Sequence, residues 1–377
     1  MRAAALAVGV VLLLFGRAAA QGSTENDLGG DAQMVDRLDF LETADAFRAG
    51  RIERLAVEDA PPRLVLKADP DVFPRRGTFE SAVRETSFAF TELILSYNAL
   101  APEKTGLRFD VRVRDETTSE WSPYFYLGVW GTPLGREPRL IDQKSGAVDV
   151  DVLKLKAPAV AYQVRVRLQS ADLDPKTTPT LLRVAVCCTG SVADPTRRAA
   201  LTEKVKAAAG WARDLKVPYR AQGDAPAAIR SEICSPTSLA MVLAFLGNDR
   251  PIVDTALAVF DPEYSIFGNW ARATAHAGTQ GFRSYVTRFR DWEAVKAHIA
   301  MGRPLIASIR FKAGEFPSAA LSDTTGHLIV IRGFTKDGDP IVNDPGNRKK
   351  GDGAVYKADE LARAWFQKGG VAYVVEK

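Results

Sequence analysis

The few cysteines and histidines of this chain limit the chemistry that it can carry. Its 377 residues include three of each, namely Cys187, Cys188, Cys234, His276, His298 and His327. So small a set excludes a zinc cluster and a scaffold held together by disulfides, because both need several such residues close together. We therefore expect no metal site and no cofactor. Any reaction that needs a thiol and an imidazole must use single copies.

Cys234 is the cysteine best placed to act as a nucleophile. It lies just before a predicted apolar helix that runs from Pro236 to Leu246 and is stopped by Gly247. Proline is tolerated in the first helical turn because its missing N–H group would be unpaired there, so Pro236 fixes the helix start. The free N–H groups and partial positive charge of a helix N-terminus lower the pKa of a nearby thiol. The alternative is that Cys234 is only a small buried residue at the helix entry.

A predicted hairpin supplies a base and a carboxylate. One strand opens with His327, a turn follows at 336–339, and the returning strand runs into Asn343 and Asp344. With an even-numbered loop, residues of opposite number parity share a face, so His327 and Asp344 point the same way and Asn343 points the other way. A two-residue turn leaves the pair about four residues out of alignment, so contact needs a bulge or a shifted turn. A carboxylate beside an imidazole stabilises the imidazolium that pairs with a thiolate.

The residues before this region predict a separate β domain, from about 61 to 190. Apolar and polar residues alternate at 107–114, 148–152 and 162–169, and turn-forming residues separate these segments. Such alternation is typical of antiparallel strands with one buried and one solvated face, here in a β-sandwich of the jelly-roll kind.

Several residues of this sandwich have both an ordinary and a functional interpretation. Cys187 and Cys188 are predicted to be unreactive neighbours on a strand, and Asp149 and Asp151 to lie on a solvated strand face rather than to bind calcium. For the aromatic group of the sandwich two interpretations remain open: packing in the core, or a platform that binds carbohydrate or peptide. Its members are Trp121, Tyr124, Tyr126 and Trp130.

The first twenty residues are typical of a secretory signal. Arg2 precedes an apolar run, and small residues at 18–20 form a cleavage site before Gln21. Cleavage removes Arg2 and Arg17 and no acidic residue, so the formal charge falls from +4 to +2. So small a charge predicts no nucleic-acid partner. We expect a secreted, periplasmic or cell-surface protein with no membrane span after cleavage, while retention of the signal as an anchor remains open.

The other segments complete the expected division of the chain. Residues 21–60 are predicted to be a flexible lead-in, residues 191–216 a linker with a helix from Leu201 to Leu215, and residues 217–377 a second domain. In that domain Asp291 caps a helix, and strands are predicted at 305–309, 328–334, 341–343 and 372–375. Helices followed by a meandering antiparallel sheet indicate an α+β fold.

Separated motifs of the second domain resemble those of one enzyme family. They are Cys-Ser-Pro-Thr-Ser at 234–238, Gly-Asn-Trp at 268–270, Ser-Tyr-Val-Thr-Arg at 284–288, Gly-His-Leu at 326–328 and Val-Asn-Asp-Pro at 342–345. In this order they are similar to the stand-alone bacterial C39-like cysteine peptidases, which have a papain-like fold. The resemblance covers about residues 217–377. It implies that Cys234 is the nucleophile, His327 its base and Asp344 the residue that orients His327, with Gln222 in the oxyanion hole.

Two departures from the wider family narrow the expected activity. Ser235-Pro236 follows the cysteine where bacteriocin-processing members have Gly-Pro, and the chain carries neither a transporter nor an ATPase part. Both features argue against cleavage of double-glycine leaders. The resemblance implies a cysteine peptidase or amide hydrolase that forms an acyl-enzyme with a peptide or protein, a cell-wall peptide being one candidate, and the signal-like first twenty residues predict that it is exported. Acyl transfer remains open, as does an inactive cell-surface protein whose sandwich binds cell-wall glycan or peptide.

Overall fold

The computed structural model describes residues 33–67, 73–133, 138–174, 176–202, 205–207 and 209–377. The predicted signal at 1–20 and the first part of the predicted lead-in lie outside these residues. Along the described ranges, no helix combines the length and the apolar character that a membrane crossing requires.

The N-terminal part of the described chain is an antiparallel β-sandwich. Its elements are β1 (Met34–Leu41), α1 (Ala44–Arg48), β2 (Arg51–Glu53), β3 (Leu55–Asp59), β4 (Pro62–Leu66), β5 (Arg75–Glu80), β6 (Arg84–Leu100), β7 (Thr105–Asp115), β8 (Phe125–Gly131), β9 (Asp142–Gln143), β10 (Gly146–Asp149), β11 (Val152–Ser170) and β12 (Thr180–Ser191). The long strand β11 pairs with β6 near its start and with β5 and β7 towards its end. Strand β6 also pairs with β12.

The prediction of a flexible lead-in is wrong for residues 34–59, because these residues belong to the sandwich. Strand β1 pairs with β12 along its whole length. Both of its faces carry apolar residues: Val35 packs in the sandwich core, whereas Leu38 and Phe40 pack against the core of the second domain. A strand with apolar and charged residues mixed on both faces lacks the alternation that marks a half-buried strand, so the pattern gave no sign of it.

The C-terminal part is built on a six-stranded antiparallel sheet with helices around it. Its elements are α3 (Cys234–Phe245), α4 (Ile252–Val259), α5 (Trp270–Thr279), β13 (Arg283–Arg288), α6 (Trp292–Ala300), β14 (Leu305–Phe311), β15 (Thr324–Phe334), β16 (Pro340–Asn343), β17 (Ala354–Val355), α7 (Ala358–Trp365) and β18 (Val371–Glu376). The strand order is β13-β18-β14-β15-β16-β17. The predicted α+β class with an N-terminal sandwich is therefore confirmed, and Asp291 caps α6 as expected.

The predicted linker helix is misplaced. Helix α2 spans Pro195–Leu201, and the residues described at 205–207 and 209–216 are not helical. Instead, Leu215 is buried and donates its N–H to the carbonyl oxygen of Arg332, on β15. Hydrogen bonds to this strand and burial of the leucine override the helical propensity of the segment.

The two domains meet in a packed junction. Ile94, Val152, Ala185 and Cys187 of the sandwich belong to the apolar core of the second domain. Beside them Asn98 is fully buried, and its Nδ2 donates to the main-chain and side-chain oxygens of Ser284 at 3.0 and 2.9 Å. The Ser284 N–H donates back to Asn98 Oδ1. Buried polar groups need such partners, so these contacts tie β6 to β13.

Asp151 forms a second contact between the two domains. The prediction that it lies on a solvated strand face is therefore wrong. Asp149 pairs with Val152, so residues 150 and 151 form a tight turn in which Val150 has a φ of +56°. The turn aims the Asp151 carboxylate at helix α5, where its Oδ2 accepts a 2.7 Å hydrogen bond from the N–H of Trp270. Asp151 is 8% exposed, and burial raises its pKa from 3.8 to about 7.

We expect Asp151→Asn to stabilise the protein in a pH-dependent way. Because the folded-state pKa lies above the unfolded value, ionisation of Asp151 costs stability, and the cost grows from about pH 4 until it is complete above about pH 7. One pKa unit corresponds to about 1.4 kcal/mol, so Asn should add a few kcal/mol at pH 8 and little at pH 4. Thermal unfolding at both pH values measures this. Asp149→Asn is the control, since Asp149 is exposed and pairs with Lys154 at 2.8 Å. An equal effect of Asp151→Asn at both pH values would contradict the assignment.

Candidate active site

Cys234 is the first residue of helix α3, which begins two residues earlier than the predicted start at Pro236, so Cys234 lies inside the helix rather than before it. Two side chains of this helix fix its N-terminal end. Ser235 Oγ lies 3.0 Å from the Tyr373 hydroxyl on β18, and Ser238 Oγ donates to the Leu328 carbonyl oxygen on β15. Since β15 also carries His327, these contacts hold the thiol beside the strand that bears the imidazole.

The hairpin brings His327 and Asp344 together through a bulge, as the sequence requires, but its loop is odd-numbered rather than even-numbered. Its loop has five residues, 335–339, because Phe334 pairs with Pro340. The extra residue Arg332 then forms a bulge, so that the register shifts by one position along β15. The bulge restores the face relation that an even-numbered loop would have produced. As a result, His327 Nε2 lies 2.7 Å from Asp344 Oδ1.

Asp344 is buried and surrounded by hydrogen-bond donors. Its Oδ1 also accepts from the N–H of Gly346 at 2.8 Å, and its Oδ2 accepts from the Tyr356 hydroxyl at 2.6 Å. Burial alone would raise the pKa of Asp344, but the hydrogen bond and charge of His327, with the donors Tyr356 and Gly346, lower it. The carboxylate is therefore the favoured form.

The electrostatics of the site favour a thiolate paired with an imidazolium. Burial alone would lower the pKa of His327, but hydrogen bonds and charges of Asp344 and Cys234 raise it well above its usual value. Burial likewise opposes ionisation of Cys234, but His327 and the N–H groups of Leu328 and Ser235 lower the pKa of its thiol. Because Nε2 of His327 faces Asp344, Nδ1 is the nitrogen left for the sulfur.

Gln222 lies near this site, but its side chain is engaged elsewhere. Its N–H donates to the Pro345 carbonyl oxygen at 3.0 Å, which attaches residue 222 to the loop after Asp344. Its Nε2 donates to the carbonyl oxygen of Arg230 at 2.9 Å. An oxyanion role for Gln222 remains a prediction, since Nε2 would have to leave Arg230 to reach a substrate.

Sequence reasoning missed two residues that hold Asp344. Tyr356 follows it by twelve positions, a spacing that no motif rule marks. Gly346 could have been found, because Asp-Pro-Gly is a turn signal and an aspartate oxygen that accepts from the N–H two residues later is an Asx turn.

The other cysteines and histidines lie away from these contacts. Cys187 and Cys188 are free thiols buried in β12, and burial raises the pKa of both. His276 lies on α5 and His298 on α6, and burial lowers the pKa of each. Across the ranges that the structure describes, no group of three or more potential metal ligands comes together.

The aromatic group of the sandwich divides between core and surface. Tyr126 and Trp130 are buried, at 2% and 8% exposed. Trp121 and Tyr124 lie nearer the surface, where the Arg112 guanidinium stacks 4.9 and 5.0 Å from their ring centres. The ring faces that it covers are closed to a sugar, which weakens the case for a carbohydrate platform.

Comparison with known families agrees with this geometry. A model described as the Peptidase C39 like family matches residues 214–373, and one described as the Peptidase C39 N-terminal domain matches residues 37–189. The C-terminal domain belongs to the C39-like peptidases, and each of the two matches covers less than half of the chain. The resemblance inferred from the motifs is thus confirmed, and this C39-like peptidase is a cysteine peptidase-like hydrolase. The second match begins at residue 37, within β1 rather than at the predicted start of the sandwich.

Solved structures provide more distant likenesses to this C39-like peptidase. A double-glycine-motif protease from an AMS/PCAT transporter, in complex with its leader peptide, is 20% identical over 46% of this chain and 99% of its own, with a TM-score of 0.31. A C39-like peptidase from Bacillus anthracis is 15% identical over 46% and 98%, with a TM-score of 0.33. The family 32 carbohydrate-binding module of NanJ from C. perfringens, in complex with galactose, is 7% identical over 42% and 95%, with a TM-score of 0.18. TM-scores this low support no transfer of ligand or substrate. No curated protein matches the chain at a significant level.

In the native C39-like peptidase, we expect only one of the three cysteines to react readily with iodoacetamide. Cys234 has a lowered thiol pKa, whereas Cys187 and Cys188 are buried and have raised ones. Peptide mapping by mass spectrometry after labelling between pH 5 and 9 should locate the label on Cys234, with a midpoint below that of a free thiol. Labelling in denaturant, which should modify all three, is the control. Equal labelling of Cys187 in the native protein would contradict the assignment.

Proposed function

We propose that this C39-like peptidase hydrolyses peptide or amide bonds through a triad of Cys234, His327 and Asp344. The observation that carries the proposal is the 2.7 Å contact between His327 Nε2 and Asp344 Oδ1, next to a thiol at a helix N-terminus. The electrostatic coupling of Cys234 to His327 supports it further. An imidazole held by a carboxylate and paired with a thiol is the arrangement that activates a cysteine nucleophile.

The proposed reaction begins with the Cys234 thiolate. Its sulfur attacks the carbonyl carbon of the substrate, and a C–S bond forms while negative charge moves to the carbonyl oxygen. The N–H group of Cys234 at the start of α3 would stabilise that oxyanion, and so would Gln222 once its amide turns away from Arg230. Imidazolium His327 then gives its Nδ1 proton to the leaving nitrogen, the C–N bond breaks and a thioester remains on Cys234.

Water completes the proposed cycle. His327, now neutral, accepts a proton from water, and the resulting hydroxide attacks the thioester carbon. The C–S bond breaks, the acid leaves and the thiolate–imidazolium pair is restored. Asp344 stays ionised throughout and keeps the ring oriented, as its buried hydrogen bonds favour. An amine that outcompetes water would give acyl transfer at the same step.

The proposed substrate is a peptide or a protein, with a cell-wall peptide as one candidate. Membership of a peptidase family supports this class, and the reaction above needs only an accessible carbonyl. We also propose that the protein is exported, on the strength of the signal-like residues 1–20.

Substitutions in the triad test the proposed function. Cys234→Ala should abolish hydrolysis of an internally quenched peptide library, because no nucleophile remains. His327→Ala should lower kcat/KM by about 10³-fold or more, because no base remains to activate the thiol. Asp344→Asn should lower it by about 10²-fold or more, because the imidazole then loses its proton acceptor and its orientation. Asp337→Asn is the matched control, an exposed aspartate at the far end of the same hairpin. Hydrolysis by the Cys234→Ala variant would end the proposal.

Export has its own test. Expressed with its full N-terminus in a secreting host, the protein should appear outside the cytoplasm with Gln21 as its first residue, because cleavage follows the small residues at 18–20. N-terminal sequencing measures this. Replacing residues 3–15 with a charged segment is the control that should abolish export. Intact protein that remains in the cytoplasm would contradict the proposal.

A further inference from the structure

Tyr356 is a fully buried residue whose hydroxyl lies between the proposed triad and a loop. The hydroxyl donates to Asp344 Oδ2 at 2.6 Å and accepts from the N–H of Ala320 at 2.9 Å. A phenol has a single proton to donate. Because the Ala320 N–H occupies the acceptor side of the oxygen, that proton is directed towards the carboxylate.

Two properties make this donor a permanent one. Burial, with the negative charge of Asp344, raises the pKa of Tyr356 well above its usual value, so the hydroxyl keeps its proton. The ring is also held, since Phe316 packs against it edge-on with 5.0 Å between ring centroids. Asp344 therefore receives a hydrogen bond of fixed direction over the whole working pH range.

Ala320 belongs to the loop 312–323, which joins β14 to β15. Hydrogen bonds at both the N–H and the carbonyl oxygen of Ala320 anchor this loop. Its N–H is bonded to Tyr356, and its carbonyl oxygen accepts from Asn347 Nδ2 at 2.8 Å. Asn347 lies three residues after Asp344, in the loop that forms the Asx turn. A second anchor lies at Ser318, whose N–H and Oγ both donate to Glu360.

The same loop also reaches Gly346, next to the imidazole. A Cβ atom on Gly346 would lie 3.1 Å from His327 Cε1 and 3.1 Å from a methyl carbon of Leu321. Leu321 and His327 thus both lie close to Gly346, where an added Cβ atom would force a neighbour to shift by a few tenths of an ångström. The loop therefore reaches the triad at its carboxylate, through Tyr356, and approaches its imidazole at Gly346.

We propose that Tyr356 is a positioning residue for Asp344, and that the loop 312–323 is part of the active site because its seating at Ala320 directs the Tyr356 proton. The inference rests on the proposed function and deepens it. A peptide substrate that contacts the loop would act on Asp344, and through it on the thiolate of Cys234. Loop seating would then be one determinant of substrate choice.

Tyr356→Phe tests the first part, since it keeps the ring and removes only the hydroxyl. Asp344 Oδ2 would lose its donor and support the imidazolium less well, so the thiol of Cys234 should ionise at a higher pH. We expect the midpoint of iodoacetamide labelling of Cys234 to move upward by about half a pH unit or more, and kcat for the peptide library to fall about tenfold or more with little change in KM. The labelling needs no substrate, so it remains informative if none is found.

Tyr219→Phe is the matched control. The Tyr219 hydroxyl also contacts Asp344 and Asn347, but it donates to their main-chain oxygens, at 3.2 and 2.9 Å, rather than to the carboxylate. It should lower the melting temperature as Tyr356→Phe does and leave the labelling midpoint where it is in the unaltered protein. If Tyr356→Phe also moved only the melting temperature, the positioning role would be overturned.

Asn347→Asp tests the loop. The change keeps the oxygen that accepts from the N–H groups of Lys349 and Lys350, and it removes the donor to the Ala320 carbonyl. It should move the labelling midpoint in the same direction, and combining it with Tyr356→Phe should give less than the sum of the two shifts, because both act through Ala320. Additive shifts, or none from Asn347→Asp, would overturn the part played by the loop. Hydrolysis that survives in Cys234→Ala would instead contradict the proposed function.

Discussion

The hydrogen bond between His327 and Asp344 is the contact on which the proposed active site depends. Both side chains are almost fully buried, at 5% and 1% exposed, where an unpaired charge would be costly. The pair is possible because Arg332 bulges out of β15 and corrects the register of the hairpin. The bulged arginine is itself held, by Asn343 Oδ1 and by the carboxylates of Asp214 and Asp352. Removing Asp344 would leave a buried imidazolium without its carboxylate, whereas without His327 the carboxylate would keep only its hydrogen bonds from Gly346 and Tyr356.

The sandwich is a structural part of the catalytic unit rather than a domain on a loose linker. Helix α5 begins at Trp270, whose N–H is bonded to a sandwich carboxylate, and β13 is bonded to the buried Asn98. Apolar residues of each domain complete the core of the other. Since α5 and β13 pack within the second domain, the sandwich supports the framework that carries the proposed triad. This packing gives a physical reason for the two C39 models to occur together in one chain.

The sequence was informative wherever local pattern and fold agreed. Strands such as β7 were predicted from alternation, and α3 and α6 were predicted from their apolar residues and end signals. Prediction failed where tertiary contacts replaced local rules. Strand β1 has apolar residues on both faces because it lies between two cores, and Asp151 left the solvated face because a tight turn aims it at α5. Leu215 pairs with β15 instead of continuing a helix.

By itself the sequence determined which residues could do the chemistry, because only one cysteine stands at a helix start and only one histidine opens a strand that returns to an aspartate. Residue type and local spacing are enough for that inference. The tertiary structure alone decided that His327 reaches Asp344, since the odd loop and the bulge at Arg332 cancel in a way that no residue pattern records. It alone also brought the Tyr356 hydroxyl to the carboxylate and the Ala320 N–H to that hydroxyl. Those contacts join segments far apart in the chain, and their partners are chosen by packing rather than by spacing.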